Sequence, residues 1–487
     1  MKDKSKDFLK KNKFKLILSV LLIIYLSVFL FNQVKPIPYG LDYQSKFYSV
    51  DDSDIKFLYD LTYENSNGSI IVKQEIFDEK FKLIQGAKNY ILLDMFLFNS
   101  HGGNLDSFYK NLSSLLSEEL VVKKINSPNI EIDFITDNLN IVYGGYSDEN
   151  INYMVDNGIN VYFTNLNMLR DSNPVYSSFW RMFFIWFGNS DNNGWISHPF
   201  DSEEKVTVRS YLSLLNFKAN HRKVIIADNS KGEYSTIVSS ANPHDGSSEH
   251  SNVAVRINGS FAQEIYKTEL AVSEDRLVNV NFDEFEELGK LNVMLITEKK
   301  IRDNIIEQLS NLSEGDVLNI GIFYTSDRKI VKEILNANKR GVEVNIVLDP
   351  NKDAFGYEKN GIPNRQVAYE LHKKSDGKIN IRWYNTNGEQ YHSKIIYIKK
   401  QDGSCIVILG SSNFTKRNLG NYNLELNVLV MGGSESEFFQ KVDFYFDRIL
   451  NNFGGDLYTL DYEEFEDRSL FKYYLYRFQE FTGFSTF

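Results

Sequence analysis

Two stretches of the chain repeat each other at a constant distance. Each copy carries a histidine, a lysine two positions later, and then a serine and an asparagine at the end of a second apolar run. These residues are His221, Lys223, Ser240 and Asn242 in the first copy and His392, Lys394, Ser411 and Asn413 in the second. The differences 392 − 221, 394 − 223, 411 − 240 and 413 − 242 are all 171. A constant spacing over chemically special residues indicates an internal duplication.

The surroundings of both sets have the pattern of an α/β unit. The residues after each histidine are short, apolar and β-branched, which is typical of buried strands. Upstream, residues 90–96 resemble 318–323 as an early core strand, and residues 130–137 resemble 342–349 as a second strand that ends in aspartate. Each second strand follows a predicted helix, so we expect parallel strands joined by helical crossovers. The predicted fold is α/β, with two such repeats.

The first copy is longer than the second. Phe96 and His221 are 125 residues apart, whereas Phe323 and His392 are 69 residues apart, so the first copy holds 125 − 69 = 56 extra residues. We expect these residues to form an aromatic insertion at about 145–215.

The paired residues suggest a reaction at phosphorus. Side chains at i and i+2 of a strand project from the same face, so each histidine lies beside its lysine. Two copies that face each other would place two imidazoles, two ammonium groups and two carboxamides around one cavity. One imidazole can attack a phosphodiester while the other protonates the leaving oxygen, and lysine and asparagine donors stabilise the charge on the other oxygens. We expect neither a metal nor a cofactor, because the lysines supply the positive charge.

The patterns His221-x-Lys223-x4-Asp228 and His392-x-Lys394 resemble the duplicated signature of the phospholipase D superfamily. The resemblance implies two repeats packed face to face around one active site, and hydrolysis or transesterification through a phosphohistidine. By that similarity His221 is the nucleophile and His392 the general acid. Asn242 and Asn413 belong to the same catalytic set.

This sequence departs from the family pattern at two places. Lys399 stands where the second copy should match Asp228, and the nearest acidic residue is Asp402. A later acidic position of the pattern is Glu425 in the second copy, whereas the first copy has Asn252 there. We expect Glu425 to orient a histidine. The predicted supporting residues are Asp228, Ser240, Ser411 and Asn252.

The N-terminal region predicts a membrane anchor. Residues 1–15 carry seven lysines and two aspartates, and an uncharged apolar run of 16 residues, 16–31, follows. A bilayer-spanning helix needs about 20 residues, so we expect the anchor to cover 16–34. A cleaved signal peptide is less favoured because the run ends without small residues. Under the positive-inside rule the N-terminus is cytoplasmic and the catalytic part extracytoplasmic.

Aromatic residues in the insertion suggest further contacts with substrate or membrane. Trp180, Phe183 and Trp186 fit an interfacial segment and, equally well, a buried helix. His244 fits either a substrate channel or a solvated loop. In the tail, residues 469–487 have the spacing of an amphipathic helix, which we expect to pack on its own domain.

The predicted organisation has six parts. They are a basic cytoplasmic segment 1–15, the anchor 16–34, a linker 35–50, a first repeat 51–280, a second repeat 281–455 and an aromatic tail 456–487. The only cysteine, Cys405, excludes a disulfide framework within the chain and a zinc ribbon. The residues beyond 15 carry a net charge of −16, since the whole chain carries −11. This charge disfavours a polynucleotide partner.

The sequence therefore favours a membrane-anchored phosphodiesterase or phosphatidyltransferase that acts on phospholipid. An anchored nuclease and a catalytically inactive lipid- or envelope-binding scaffold are the alternatives. The acceptor, the head group and the oligomeric state are not predicted.

Overall fold

Two large mixed β-sheets dominate the computed structural model. The described residues are 2–101, 110–190, 194–201, 204–229, 233–282, 289–354, 357–485 and 487. The strands are β1 Tyr48–Val50, β2 Ile55–Glu64, β3 Ile70–Lys73, β4 Tyr90–Met95, β5 Glu131–Thr136, β6 Asn160–Phe163, β7 Ile196–Ser197, β8 Lys205–Val206, β9 Lys223–Asp228, β10 Tyr234–Ser239, β11 Asn252–Asn258, β12 Leu291–Thr297, β13 Val317–Ile322, β14 Glu343–Leu348, β15 Asp353–Ala354, β16 Tyr357–Glu358, β17 Asn380–Tyr384, β18 Lys394–Lys399, β19 Ser404–Gly410, β20 Leu426–Gly433 and β21 Thr459–Asp461.

Helices cover the sheets and form the two ends of the chain. They are α1 Lys2–Val34, α2 Ile76–Gly86, α3 Leu112–Asn126, α4 Glu149–Asp156, α5 Pro174–Phe179, α6 Val208–Leu214, α7 Phe261–Val272, α8 Glu298–Ser310, α9 Arg328–Lys339, α10 Asn364–Lys374, α11 Glu437–Leu450 and α12 Leu470–Thr482. A π-helical turn, Trp180–Phe184, continues α5.

The two large sheets have matching topology. The first has the strand order β3-β2-β11-β10-β9-β4-β5-β6, and the second has β1-β12-β20-β19-β18-β13-β14-β17-β21. Seven strands correspond one to one, from β2 and β12 at one side to β6 and β17 at the other. In both sheets the last three of these strands are parallel and the others antiparallel. The predicted α/β fold with two repeats is confirmed.

The histidine-bearing strands lie in the middle of their sheets. β9 and β18 are each flanked on both sides, and their apolar residues are buried on both faces, as expected for central strands covered from both sides. The largest hydrophobic cluster contains residues of both repeats, including Val224 and Val253 from the first and Val407 and Val428 from the second. The repeats therefore share a core.

A buried ion-pair network also crosses between the repeats. Arg222 donates to Glu269 of the first repeat at 3.0 Å and to Glu298 of the second at 2.8 Å, and all three side chains are inaccessible to solvent. Removing one partner of such a network leaves an uncompensated buried charge, so it fixes how the repeats sit together.

The N-terminal helix α1 contains a stretch, Asn12–Val34, that is apolar and long enough to cross a membrane. The residues after it differ from the predicted linker. β1 pairs antiparallel with β12, Ser45 N donates to Leu295 O at 3.0 Å, and Thr297 N donates to Tyr43 O at 2.9 Å. The expected linker 35–50 is therefore not a free tether, because its second half forms an edge of the second sheet.

The tail also joins the second sheet, since β21 pairs antiparallel with β17. Its helix α12 packs on the second repeat, as expected, but through a different face from the aromatic one. Tyr476 is fully buried and Glu480 nearly so, whereas Phe471, Tyr474, Phe478 and Phe481 are exposed. The inward face is selected by polar bonds, with Tyr476 accepting from Arg328 at 2.7 Å and Glu480 accepting from Ser326 at 2.6 Å.

Candidate active site

Each candidate histidine is attached through its backbone to the opposite repeat. Asn220 forms a short parallel bridge with Leu424, and His221 N donates to Leu424 O at 2.9 Å. In the same way Tyr391 bridges to Ser251, and His392 N donates to Ser251 O at 2.8 Å. These two bridges bring the predicted histidines to the seam between the sheets, each immediately before its central strand.

The side chain of His221 faces a carboxylate. Its Nδ1 lies 3.0 Å from Oε2 of Glu425, the residue that follows the bridge partner Leu424. Ser411 Oγ donates to the same carboxylate oxygen at 2.5 Å, and Asn418 donates to Oε1. Glu425 is fully buried. The expected orienting contact between Glu425 and a histidine is present, and it comes from the other repeat.

The side chain of His392 faces an amide in the matching place. Its Nδ1 lies 3.2 Å from Oδ1 of Asn252, which follows the bridge residue Ser251. Ser240 Oγ donates to that oxygen at 2.9 Å, as Ser411 does to Glu425. Asn252 Nδ2 is held by the His250 carbonyl at 2.9 Å. The structure therefore brings Ser240, Ser411 and Asn252 to the two imidazoles, and their supporting role stays a prediction.

Aromatic rings and lysines complete the two halves. The Phe96 ring lies 4.8 Å from the His221 ring between centroids, and Phe323 lies 5.0 Å from His392. Lys223 Nζ is 4.8 Å from the Phe96 centroid, and Lys394 Nζ is 5.1 Å from that of Phe323. Each lysine donates to the carbonyl of its own histidine, at 2.5 and 2.6 Å.

The two asparagines of the signature retain bonding capacity. Asn242 and Asn413 are both buried, and within the described part of the chain neither Oδ1 has a hydrogen-bond partner. Buried amides without partners are unusual in a folded protein and are common where a ligand completes them.

Burial and mutual charge lower the pKa values of the basic groups. Burial lowers the pKa of His221 to about 4; Glu425 opposes this shift, while Lys223 and Lys394 reinforce it. Burial is the main cause that holds the pKa of His392 well below its usual range. The nearby basic groups lower it further; they are Lys394, His250, Lys223 and His221. Burial lowers the pKa of Lys223 to about 7, and burial together with Lys223 strongly lowers that of Lys394. Four basic groups share a buried space in which the Glu425 carboxylate offsets the lowering of their pKa values only in part, which favours an anionic ligand.

Residues 305–450, which include His392, Lys394, Asn413 and Glu425, match the family model described as "Cardiolipin synthase, PLD-like domain". Residues 305–450 form a phospholipase D-like domain. The resemblance seen in the sequence is thereby confirmed, and the match covers most of the second repeat.

One solved structure agrees with the fold of the whole chain. Phosphatidylserine synthase from Haemophilus influenzae is 12% identical with a TM-score of 0.53, and the match covers 89% of this chain and 94% of that one. Polyphosphate kinase from Porphyromonas gingivalis is 8% identical, with a TM-score of 0.43 and coverage of 89% and 56%. A yeast tyrosyl-DNA phosphodiesterase mutant is 12% identical, with a TM-score of 0.42 and coverage of 77% and 89%. Of these three, the synthase alone has a TM-score above 0.5, and at 12% identity it supports the fold and not a function. No curated protein matches the chain in sequence.

One predicted supporting residue of the phospholipase D-like signature lies elsewhere. Asp228 is at the far end of β9 from His221, roughly 20 Å away for a strand of this length. Its carboxylate accepts from the backbone of Lys88, Asn89 and Tyr90, at 2.9–3.1 Å, and so fixes the start of β4. Asp228 supports the sheet and not the site. Lys399, its counterpart, pairs instead with Asp443 at 2.9 Å.

The predicted substrate or membrane contacts divide into two groups. Phe183 and Trp186 are exposed, but Trp180 is buried and lines a cavity of about 260 Å³ between the insertion and the first repeat. His244 is also buried; its Nδ1 lies 2.9 Å from Ser247 Oγ and its Nε2 lies 2.5 Å from the His101 carbonyl. The solvated-loop alternative for His244 is therefore wrong, and its channel role stays a prediction.

Sequence reasoning missed a matched pair of positioning aspartates. Asp137 accepts from Asn220 N at 2.6 Å, and Asp349 accepts from Tyr391 N at 2.8 Å. Each bond holds the residue immediately before a candidate histidine. Both aspartates also stabilise a turn, because each accepts from the backbone N–H two residues later. Their equivalent positions at the ends of β5 and β14 were the available signal.

Among the described residues, no group of three or more His, Cys, Asp or Glu side chains is arranged to hold a metal ion.

Proposed function

We propose that the chain is a membrane-anchored phosphodiesterase or phosphatidyltransferase that acts on phospholipid through a phosphohistidine. One observation carries the proposal. Two buried imidazoles, each bonded through Nδ1 to a residue of the other repeat, stand beside two buried lysines and two buried asparagines. This is a set of one nucleophile, one proton donor and several oxyanion donors.

The partners of the two imidazoles assign their roles. Glu425 accepts the Nδ1 proton of His221, which leaves Nε2 with a free electron pair, and the carboxylate stabilises the positive charge that develops as the ring bonds to phosphorus. The Nδ1 of His392 faces the neutral Asn252 oxygen instead. We therefore assign His221 as the nucleophile and His392 as the general acid.

In the first step, Nε2 of His221 forms a bond to phosphorus while the phosphorus–oxygen bond to the leaving alcohol breaks. His392 gives its Nε2 proton to the departing oxygen. The phosphatidyl group is then held on His221. The negative charge of the incoming diester raises the pKa of His392 from its low value in the empty site, so substrate binding itself promotes the protonated form of the acid.

In the second step, His392 is neutral and takes a proton from the acceptor. The acceptor oxygen bonds to phosphorus, the phosphorus–nitrogen bond breaks, and His221 is regenerated. Water as the acceptor gives phosphatidic acid, and an alcohol gives head-group exchange. Lys223, Lys394, Asn242 and Asn413 donate to the non-bridging oxygens in both steps.

Three features support phospholipid as the substrate. The apolar helix α1 is long enough to cross a bilayer, and exposed aromatic side chains lie beside it. The matched family model is that of a cardiolipin synthase domain. The net charge of −11 also opposes binding to a polynucleotide, whose affinity derives largely from basic residues.

The test uses the full-length chain reconstituted in vesicles that contain head-group-labelled phosphatidylglycerol or phosphatidylcholine, with and without ethanol. We expect head-group release in buffer, a phosphatidylethanol product with ethanol, no effect of EDTA, and loss of both activities in His221→Ala. Cleavage of labelled single-stranded DNA without lipid turnover would establish the nuclease alternative instead. Native protein inactive on both substrates would favour the scaffold.

A further inference from the structure

The insertion runs along the second half of α1. Asp171 N donates to Asn32 O at 3.3 Å, Gln33 donates to Asp171 O at 2.9 Å, and Tyr25 OH donates to Val175 O at 3.0 Å. From Tyr25 to Gln33 an α-helix rises about 12 Å. That is close to half of the ~30 Å hydrocarbon thickness of a bilayer. Residues 171–175 of the insertion therefore follow α1 over the depth of one leaflet.

The aromatic residues that follow point away from the protein. Phe179 is 47% exposed, Trp186 74% and Phe187 73%. The backbone is helical as far as Phe184, with α5 continuing into the π-helical turn, and Phe187 N just beyond it donates to Phe184 O at 3.1 Å. Helical backbone with exposed aromatics is compatible with lipid, because lipid offers no hydrogen bonds to an open backbone.

A second aromatic surface lies on α12. Phe471, Tyr474, Phe478 and Phe481 are 58–80% exposed. Their spacing places them on one side of the helix, opposite the polar bonds of Tyr476 and Glu480 that hold α12 to the second repeat. A contiguous apolar surface of this kind is rare on a protein that has nothing to cover it.

The two aromatic surfaces meet at the end of α12. Gly483, with φ of 76°, ends the helix so close to the Ser172 carbonyl that an added Cβ would lie 1.6 Å from it. The next residue, Phe484, lies 6.1 Å from the Phe217 ring between centroids, and Ser172 Oγ donates to Phe217 O at 2.6 Å. Only Asn173 separates Ser172 from α5.

We propose that these surfaces form a single lipid-docking face that enters the leaflet holding the second half of α1. The face consists of Phe179, Phe183, Phe184, Trp186, Phe187, Phe471, Tyr474, Phe478, Phe481 and Phe484. Its occupant is lipid because the face continues the surface of α1, whose own apolar side chains are exposed. Lys416 borders the face and donates to Phe481 O at 2.9 Å, which places a cation at phosphate level beside an aromatic ring.

The docking face is connected to the candidate active site by one short loop. Lys416 lies three residues after Asn413, and its backbone N donates to Glu480 of α12 at 2.9 Å. Docking would therefore hold the Asn413 loop at the lipid surface. The proposal rests on α1 being a membrane span and deepens the proposed function by naming how the site meets a membrane, but it does not depend on the chemistry.

The test measures nitroxide accessibility in the full-length chain in vesicles of phosphatidylcholine and phosphatidylglycerol. The background is Cys405→Ala, which removes the buried native thiol. Labels at Trp186→Cys and Phe478→Cys should be accessible to oxygen and shielded from a water-soluble nickel complex. A label at Phe453→Cys, an exposed position beside Phe444 of α11, should behave in the opposite way.

Two results would overturn the proposal. One is nickel accessibility at Trp186→Cys and Phe478→Cys that equals the accessibility at Phe453→Cys. The other is dipolar broadening between labels of neighbouring chains, which would show that a second copy covers the face.

A kinetic arm separates this proposal from the proposed function. Phe478→Ser should lower turnover of vesicle phospholipid several-fold while leaving turnover of a soluble diester, bis(p-nitrophenyl) phosphate, unchanged. Phe453→Ser should change neither. Equal loss on both substrates would contradict docking. Inactivity of the native protein on both would instead contradict the proposed function, and the label measurements would still decide the docking proposal.

Discussion

The two repeats present their histidines in the same frame but with different chemistry. In both, a short parallel bridge to the other repeat fixes the histidine backbone, a phenylalanine lies against the ring, and a serine holds the residue that faces Nδ1. That residue is Glu425 for His221 and Asn252 for His392. A single difference, carboxylate against amide, thus separates two otherwise equivalent half-sites.

Under the proposed function, this difference gives the two copies of a duplicated unit different roles without a change of backbone. A carboxylate favours the cationic ring that a covalent intermediate needs, whereas a neutral amide orients the ring without stabilising either protonation state. Because each partner comes from the opposite repeat, neither half contains a complete half-site.

The largest effect should come from removing the imidazoles one at a time. His221→Ala should lower kcat by at least about 10⁴-fold on any diester, because no intermediate can form. His392→Ala should lose about 10²- to 10⁴-fold on phospholipid and much less on a p-nitrophenyl diester, whose leaving group needs no proton. Rate measurements on both substrates, with mass spectrometry of His221 for trapped phosphoryl adduct, check the assignment. If the p-nitrophenyl leaving group restored kcat of His221→Ala more than kcat of His392→Ala, the nucleophile and the general acid would have to be exchanged.

The next largest effect should come from replacing the residues that face the Nδ1 atoms of the two histidines. Glu425→Gln keeps the shape but removes the charge, and it should lower kcat about 10²- to 10⁴-fold, by analogy with the carboxylate of a catalytic triad. Asn252→Ala should cost about 10-fold, because only ring orientation is lost. Steady-state kinetics on a soluble diester measure both. Losses of equal size would mean that the carboxylate–amide difference has no catalytic meaning.

The pH dependence should reflect the buried nucleophile. His221 attacks only when neutral, and burial lowers its pKa to about 4. Activity should therefore persist as pH falls through 6.5, the value for an ordinary imidazole, with the acidic limb of kcat/KM lying below it. Because Glu425 raises the His221 pKa, Glu425→Gln should move this limb to still lower pH. A wild-type limb at or above 6.5, or a shift in the other direction, would contradict the assignment.

The smallest effect on activity should come from the displaced signature aspartate. Asp228→Ala removes an acceptor from three backbone donors at the start of β4, so the free energy of unfolding should fall by about 1–3 kcal/mol. Lys399→Ala, its counterpart in the second repeat, breaks only a half-exposed ion pair and should cost less than about 1 kcal/mol. Denaturant unfolding measures both, and kcat of the folded fraction should not change. A large loss of kcat in Asp228→Ala would return that residue to the site.

The sequence predicted the candidate site residues that recur at a constant offset in the two repeats. The offset of 171 identified the histidines, lysines, serines and asparagines, because duplication preserves the position of each on its strand. Glu425 and Asn252 are 173 residues apart, and the family pattern, not the offset, identified them as a non-equivalent pair. The fold class followed from the same spacing together with the apolar runs of β9 and β18.

The sequence did not predict features that depend on contacts with a neighbouring structural element. The aromatic spacing of α12 predicted which residues share a side, but the bonds of Tyr476 and Glu480 determine which side turns inward. Asp228 matched the signature, yet its contacts depend on the loop before β4. Asp137 and Asp349 had no distinctive spacing, because their role depends on a backbone N–H of a strand far along the chain.

The seam between β1 and β12 bears on how the protein encounters its substrate. Since the chain leaves α1 at Val34 and becomes an edge of the second sheet at Tyr48, we expect the two sheets to keep a fixed height and orientation relative to the proposed anchor. We expect this attachment to restrict the proposed enzyme to substrate molecules in the membrane that holds α1, which arrive by lateral diffusion. Turnover should then follow the mole fraction of substrate in the surface and not its bulk concentration.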